Sequence, residues 1–369
     1  MGELNLLSFI RNILLKYKLM FFFKKNTNRG LKHAIIGCGH IAPSHVYGCS
    51  KNNVEIEMCY DIDKDKAIEF AKIHKIKQVS DSYLQILNDN SITSVSICTD
   101  HGSHAKLTLQ ALAAGKHVIV EKPIALTLND AKKMIATAKR LKKVLSVVSQ
   151  HRYNPLIIEI QKIIKNGVLG DITLINSSLS CHKEEDYYKK SNWRGTHTKE
   201  GGSTLINQAI HTLDVVLSIK NLPVKTKSFK EKLKFKKVIE TEDTLSAIMQ
   251  FKDKSLATFS CTNTTIGGWD SKIEVIGTKG KISFSVDYPV KILNFVHEKA
   301  NTEAEILDLL NSKAERFIKP PSESYYGTKH REQMEDFFNV ITKKSKKLFL
   351  EPVDALNTLS VVLSFYKQP

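Results

Sequence analysis

Between Leu31 and Gln150, short apolar runs alternate with helical patterns, and this alternation constrains the fold more than any other feature of the chain. Ala34–Ile36, Val54–Tyr60, Ser94–Cys98, His117–Val120 and Val144–Ser149 read as strands. Asp63–His74, Ser103–Ala114 (closed by Gly115) and Leu128–Leu141 read as the helices between them. Strand-helix units of this length bury both faces of a parallel sheet through right-handed crossovers. The pattern predicts a doubly wound α/β domain over residues 31–150.

The first strand runs into Gly37-Cys38-Gly39-His40-Ile41-Ala42. In such a loop Gly37 allows the tight turn, Gly39 lets backbone approach a pyrophosphate, and Ala42 lets helix and strand pack closely. About twenty residues on, Asp61 ends the second strand, where a carboxylate accepts a ribose hydroxyl. Asp61 alternatively caps the next helix, a job for which Asp63 is equally placed. No arginine adjoins Asp61, which favours NAD over NADP. Lys122 stands near the end of the run His117-Val118-Ile119-Val120-Glu121-Lys122-Pro123, at the carboxyl end of a strand, where open α/β sheets bind their ligands. It therefore faces the same crevice as the glycine loop.

After residue 150 the pattern changes. A helix over Pro155–Lys165 leads to a weakly alternating segment, Asp171–Ser180, and a polar loop through Tyr187, Tyr188, Trp193 and Arg194. Strands are expected at Thr244–Phe251, Ser255–Thr262, Lys272–Ile276 and Lys281–Ser285, joined by short turns. Helices follow at Lys329–Thr342 and Val353–Tyr366. Strands joined by turns imply a mainly antiparallel open sheet, so residues 151–369 read as a second domain of α+β type. Its last helices cover a sheet face or return to the first domain.

Residues 1–30 stand apart as an extension. Leu6, Ile10, Ile13, Leu14, Tyr17 and Phe21 recur at helical spacing, but Arg11, Lys16 and Lys18 break the run, so it does not span a bilayer. It reads as a basic amphipathic helix touching a membrane surface, as a helix packed on the body, or as residues preceding a true start at Met20.

At 369 residues, 42% hydrophobic and 25% charged, the chain has room for two globular domains. Its net charge of +17 is spread along the sequence as lysine, without an arginine-rich tract, so it reads as a solvated surface and not a nucleic-acid site. The six cysteines form no C-x-x-C pair, which fits reduced thiols in a cytoplasmic protein better than disulfides or a zinc site; no metal is expected.

A second chemical cluster spans Glu200 to Asp214. Gly201 and Gly202 open a helix on which Asn207 and His211, four residues apart, share a face. The histidine is a candidate acid/base near neutral pH, the amide a group that orients a sugar hydroxyl or the imidazole, and Asp214 a residue that holds the histidine.

In this order the motifs resemble the Gfo/Idh/MocA family of sugar and cyclitol oxidoreductases, over about Lys32 to Tyr366. The Gly37 loop carries the resemblance together with Cys98-Thr99, His104, Ala114–Pro123, Gly201–Asp214, Ile276–Gly280 and His330-x-x-Gln333-x-x-Asp336-Phe337. It implies a Rossmann domain with NAD held by Gly37, Gly39, His40, Ile41, Asp61, Thr99, His104, Glu121 and Lys122. It further implies Lys122 and His211 flanking the reacting carbon, the lysine polarising the oxygen and the histidine acting as acid/base. An open second-domain sheet implies a homodimer or homotetramer. Two positions depart from the family pattern: Asn207 replaces a common aspartate and Asp100 a common proline. The stretch Gln150–Pro155, with Asp186–Tyr188 and Ser191–Thr196, is similar to nucleotide-sugar 3-dehydrogenases of the UDP-N-acetylglucosaminuronic acid type, in surface-polysaccharide synthesis. In that reading Arg152 and Arg194 pair with phosphate or carboxylate, and Tyr188 or Trp193 stacks on a sugar, with Lys122, Asn207 and His211 completing the substrate site; alternatively Trp193 and Tyr153 are core aromatics and Arg152 caps or braces the domain junction. A free aldose or inositol is the alternative substrate, and a dinucleotide-binding regulator without turnover the alternative function.

Overall fold

The computed structural model describes residues 28, 30–314 and 329–367. The amphipathic segment and the membrane contact read from it lie outside those residues. Among the described residues, no helix is long and apolar enough to cross a membrane.

Sheet A contains six parallel strands in the order β3-β2-β1-β4-β5-β6. They are β1 (Lys32–Ile36), β2 (Glu55–Tyr60), β3 (Gln78–Val79), β4 (Ser94–Ile97), β5 (His117–Val120) and β6 (Leu145–Val147). β4 is buried at every position and β5 at all but its first, because helices cover both faces. The helices are α1 (Ala42–Lys51), α2 (Lys64–His74), α3 (Tyr83–Asn88), α4 (His104–Ala113) and α5 (Leu128–Arg140). The strand order reverses between β1 and β4, which opens a crevice at their carboxyl ends.

α6 (Pro155–Lys165) leads into sheet B, whose order is β13-β12-β11-β7-β10-β9-β8. Its strands are β7 (Ile172–His182), β8 (Lys225–Glu231), β9 (Thr244–Gln250), β10 (Leu256–Thr262), β11 (Thr264–Gly277), β12 (Gly280–Ser285) and β13 (Ile292–His297). Only β7 and β10 run parallel. Between β7 and β8 lie the short α7 (Glu185–Lys189), a π-helical turn over Thr204–Ala209, and α8 (Ile210–Lys220). α9 (Ala300–Lys313), α10 (His330–Ile341) and α11 (Pro352–Tyr366) complete the chain.

Leu245, Ala247 and Met249 of β9 point into the core, whereas Ile248 stands 55% exposed on the opposite face, paired with Thr258 of β10. A single apolar cluster runs from Ile97 and Val120 of sheet A through Leu213, Val216 and Leu359 to Phe259 and Val275 of sheet B. α10 packs against α1, and α11 touches α5, β6 and β8. The final helices thus return to sheet A while still covering sheet B.

Candidate active site

Contact with β4 dictates the turn after β1. Gly37 lies at φ +88°, and a Cβ there would meet the Cys98 carbonyl oxygen at 2.6 Å. A Cβ on Gly39 would find nothing nearer than Lys66 Nζ at 3.9 Å, so no packing within the protein demands glycine there. α1 begins without a side-chain cap or an acidic residue in its first turn, which leaves its positive end uncompensated. His40 is exposed beside it and Ile41 half-buried. Asp61 accepts from the Cys38 amide at 2.8 Å and from the Asp63 amide at 3.0 Å. Asp63 is the cap of α2, accepting from the Lys66 amide at 3.2 Å. Asp61 is therefore fixed beside the glycine turn, as a dinucleotide ribose requires.

The loops after β4 and β5 are tied together. His104 is fully buried, with Nδ1 2.8 Å from the Pro123 carbonyl and Nε2 3.2 Å from that of Thr99. Asp100 caps the turn that follows, accepting from the Ser103 amide at 3.2 Å. Behind Lys122, Glu121 Oε1 lies 3.0 Å from both His45 Nε2 and His330 Nε2. Burial alone would raise this carboxyl; bonds to the two imidazoles hold it well below the usual range. The three groups are close enough to surround a metal ion, yet 3.0 Å is a hydrogen-bond length, and His45 Nδ1 is engaged by Ser96 Oγ at 2.8 Å.

Lys122 Nζ donates to the Asn207 carbonyl at 2.7 Å and to Asn207 Oδ1 at 2.8 Å. Burial lowers its pKa to about 8. Asn207 sits in the π-helical turn and His211 in the first turn of α8, and Lys122 and His211 line one small cavity with Pro123, Ile210 and Thr358. The His211 and His151 rings are 5.0 Å apart. Burial, then His151 and Lys122, push the His211 pKa well below its ordinary value, so the ring is neutral.

The glycines before this turn serve packing. A Cβ on Gly201, at φ +83°, would meet Leu126 Cδ2 at 2.4 Å, and one on Gly202 would meet Tyr366 Oη at 2.1 Å. The buried Glu242 carboxylate accepts from the amides of Ser203 and Leu205 and from Tyr366 Oη.

Five sequence assignments change. Tyr188 is 2% exposed and bonded to Ser203 and Asn263 against Phe235, so it belongs to the core; Tyr187 faces the site instead. Arg152 stands by Asp354 at 3.4 Å and Asp214 at 3.8 Å, bracing α11, the alternative to a phosphate partner. Asp214 meets that arginine and accepts from Thr358 at 2.9 Å, which makes it part of the same brace. Glu121 and His104 lie buried behind the crevice and shape it through their neighbours.

Around Tyr187 the structure gathers residues the sequence did not join. The Arg194 guanidinium is 4.1 Å and Lys183 Nζ 4.6 Å from the Tyr187 ring centroid, and the Tyr187 hydroxyl accepts from Gln208 at 2.9 Å. Among the described residues no carboxylate lies within ion-pair distance of Arg194 or Lys183, and Arg194 Nε is buried without a partner. Trp193 packs edge-on against His101, 5.0 Å away. Glu200, fully buried, accepts from the Asn207 side-chain amide and the Gly195 amide. Glu200 had a sequence signal, its place before the glycine pair; Lys183 was masked by the many surface lysines.

Two family models match the chain: the oxidoreductase family with NAD-binding Rossmann fold over residues 31–149, and the GFO/IDH/MocA C-terminal domain over residues 157–283. The D-glucoside 3-dehydrogenase of Escherichia coli (strain K12) is 32% identical over 53% of this chain and 56% of its own. The glucose-6-phosphate 3-dehydrogenase of Bacillus subtilis (strain 168) is 29% identical over 70% of this chain and 75% of its own. The WlbA dehydrogenase of Bordetella pertussis, solved with NADH and UDP-GlcNAcA, shares the fold with a TM-score of 0.81 at 20% identity, over 92% of this chain and 96% of that one. With a matched Rossmann domain at its start and a matched partner domain behind it, the chain belongs to the Gfo/Idh/MocA family of NAD-dependent oxidoreductases.

Proposed function

We propose that the protein oxidises or forms a secondary alcohol on an anionic, nucleotide-linked sugar. The observation that carries this reading is the pair of cations, Arg194 and Lys183, stacked on Tyr187 beside Lys122, with no carboxylate among the described residues in ion-pair contact with either. These half-buried cations repel one another and Lys122, and a ligand that brings negative charge relieves that repulsion. A sugar carboxylate or a phosphate supplies it, and guanidinium binds either in bidentate fashion. The WlbA dehydrogenase with its UDP-GlcNAcA supports the nucleotide-linked form. The free-sugar reading rests on the D-glucoside 3-dehydrogenase relative.

The cofactor fits on Gly39, Ile41 and Asp61, and when bound it supplies the hydride acceptor at its nicotinamide. Lys122 and His211 then face the reacting hydroxyl. A general acid/base works best with a pKa near the working pH, and Lys122 at about 8 meets that condition where a strongly depressed His211 does not. We therefore assign proton transfer to Lys122 and orientation of the hydroxyl to neutral His211, reversing the roles expected from sequence. The cytoplasm, where such cofactors and sugars meet, is the location this reading implies. A homodimer or homotetramer would cover the face of sheet B that bears Ile248.

The test is nicotinamide absorbance with NAD and a panel of UDP-sugars, uronic acids, sugar phosphates, free aldoses and inositols. Turnover confined to nucleotide-linked acidic sugars supports the reading; turnover of neutral free sugars alone replaces it. No turnover, with NAD bound, gives the regulator.

A further inference from the structure

We propose that Glu200 is a positioning residue for Lys122: its buried carboxylate fixes the polarity of the Asn207 amide and lends the lysine a negative charge through it. The proposal rests on Lys122 facing the reacting hydroxyl. Asn207 bridges the two groups, its Oδ1 accepting from Lys122 Nζ at 2.8 Å and its Nδ2 donating to Glu200 Oε1. An ammonium only donates and an ionised carboxylate only accepts, so the amide has one workable orientation between them. Glu200 is itself held by the Gly195 amide on Oε2, while its backbone carbonyl accepts from His101 Nδ1 at 2.8 Å. This places the carboxyl on the same loop that carries Trp193 and Arg194, so the device is built across the junction between the two sheets.

The charges around the pair leave room for such a role. Glu121 and Glu200 favour the charged lysine, Arg194 and Lys183 oppose it, and His101 and His211 lie close enough to be depressed by it. Glu200 faces Glu242 and Arg194, and burial brings its pKa to about 7. Above that pH it is ionised, in the range where Lys122 must exchange its proton. Removing the charge while keeping the shape leaves Lys122 with one anion, Glu121, against two cations.

The experiment is competitive acetylation of the full-length protein with trace acetic anhydride across pH, read at the Lys122 peptide by mass spectrometry. In the wild type the Lys122 midpoint should fall near 8. In Glu200→Gln it should move down by about one pH unit, the size expected for losing one nearby opposite charge, and the acid limb of kcat should move with it. The exchanged variant, Glu200→Gln with Asn207→Asp, keeps one amide and one carboxyl and puts the charge against the lysine, so its midpoint should return to the wild-type value or above. An unmoved midpoint in folded Glu200→Gln overturns the proposal. If that variant does not fold, a midpoint below wild type in the exchanged variant overturns it. The labelling needs no substrate, so failure of this proposal and failure of the enzyme reading give different results: the midpoint stays put in the first case, and no sugar is turned over in the second.

Discussion

Lys122→Met should abolish turnover and, at neutral pH, stabilise the fold. The Lys122 pKa falls from 10.5 to about 8 on folding because burial penalises the ammonium. At 1.36 kcal/mol per pH unit this costs the folded state about 3 kcal/mol. Methionine fills similar space without charge, but it orphans the Asn207 side-chain and backbone oxygens, which returns about 2 kcal/mol. The net gain at pH 7 is about 1 kcal/mol, or about 1 °C in Tm for a chain of 369 residues. The sign follows from proton binding. Below pH 8 lysine is charged in both states and the penalty is complete; between about 8 and 10.5 the unfolded chain holds the proton the folded chain has released, so wild-type stability climbs. The difference between variant and wild type should therefore fall by about 3 kcal/mol across that window and change sign. Denaturant melts of both proteins at a series of pH values from 7 to about 10.5 measure it. A difference that stays constant with pH would refute the burial argument.

Arg194→Ala should raise KM for an acidic sugar at least about tenfold while leaving KM for NAD unchanged, a split that steady-state kinetics resolves. Asp61→Ala should do the reverse, weakening NAD by about tenfold or more, and should also loosen the glycine turn it holds through the Cys38 amide; calorimetric NAD titration reads this without a substrate. Gly202→Ala forces a methyl into Tyr366 Oη, so about 1–3 kcal/mol of stability should be lost and kcat should fall as the Asn207 turn shifts; a melt within about 1 °C of wild type would contradict the contact.

Sheet A was legible because its message is local: apolar runs of three to six residues, a glycine turn, and a capping residue, Asp63, lie close in sequence. β3 and α3 escaped notice, the first being two residues long and the second a short helix capped by Ser82. In sheet B, β8 was hidden by Lys225, Lys227 and Lys230, charges that suit an edge strand but erase its apolar alternation. Lys122, Asn207 and His211 were found because each sits on a recognisable turn or helix start. Tyr187 and Tyr188 were not told apart, since adjacent residues carry the same composition and only the packing of Phe235 behind Tyr188 decides which ring turns inward. The two readings of Arg152, phosphate partner and brace, could not be separated for a similar reason: its partners, Asp214 and Asp354, come from distant parts of the chain.

Ser94, His33, Ser96, His45, Glu121 and His330 form an unbroken buried line of hydrogen bonds, His33 reaching Ser94 at 2.8 Å and Ser96 at 2.7 Å before the line passes through His45 to the peptide that carries Lys122. Its members come from β1, β4, α1, α10 and the end of β5, so the lysine's backbone is anchored to elements from across the first domain and the final helices. An anchor of this kind is complete before any ligand arrives. The cost of arranging the lysine is met during folding, and the binding energy of the substrate is left for Lys183 and Arg194, which meet the Tyr187 ring by stacking and make no ion pair of their own among the described residues.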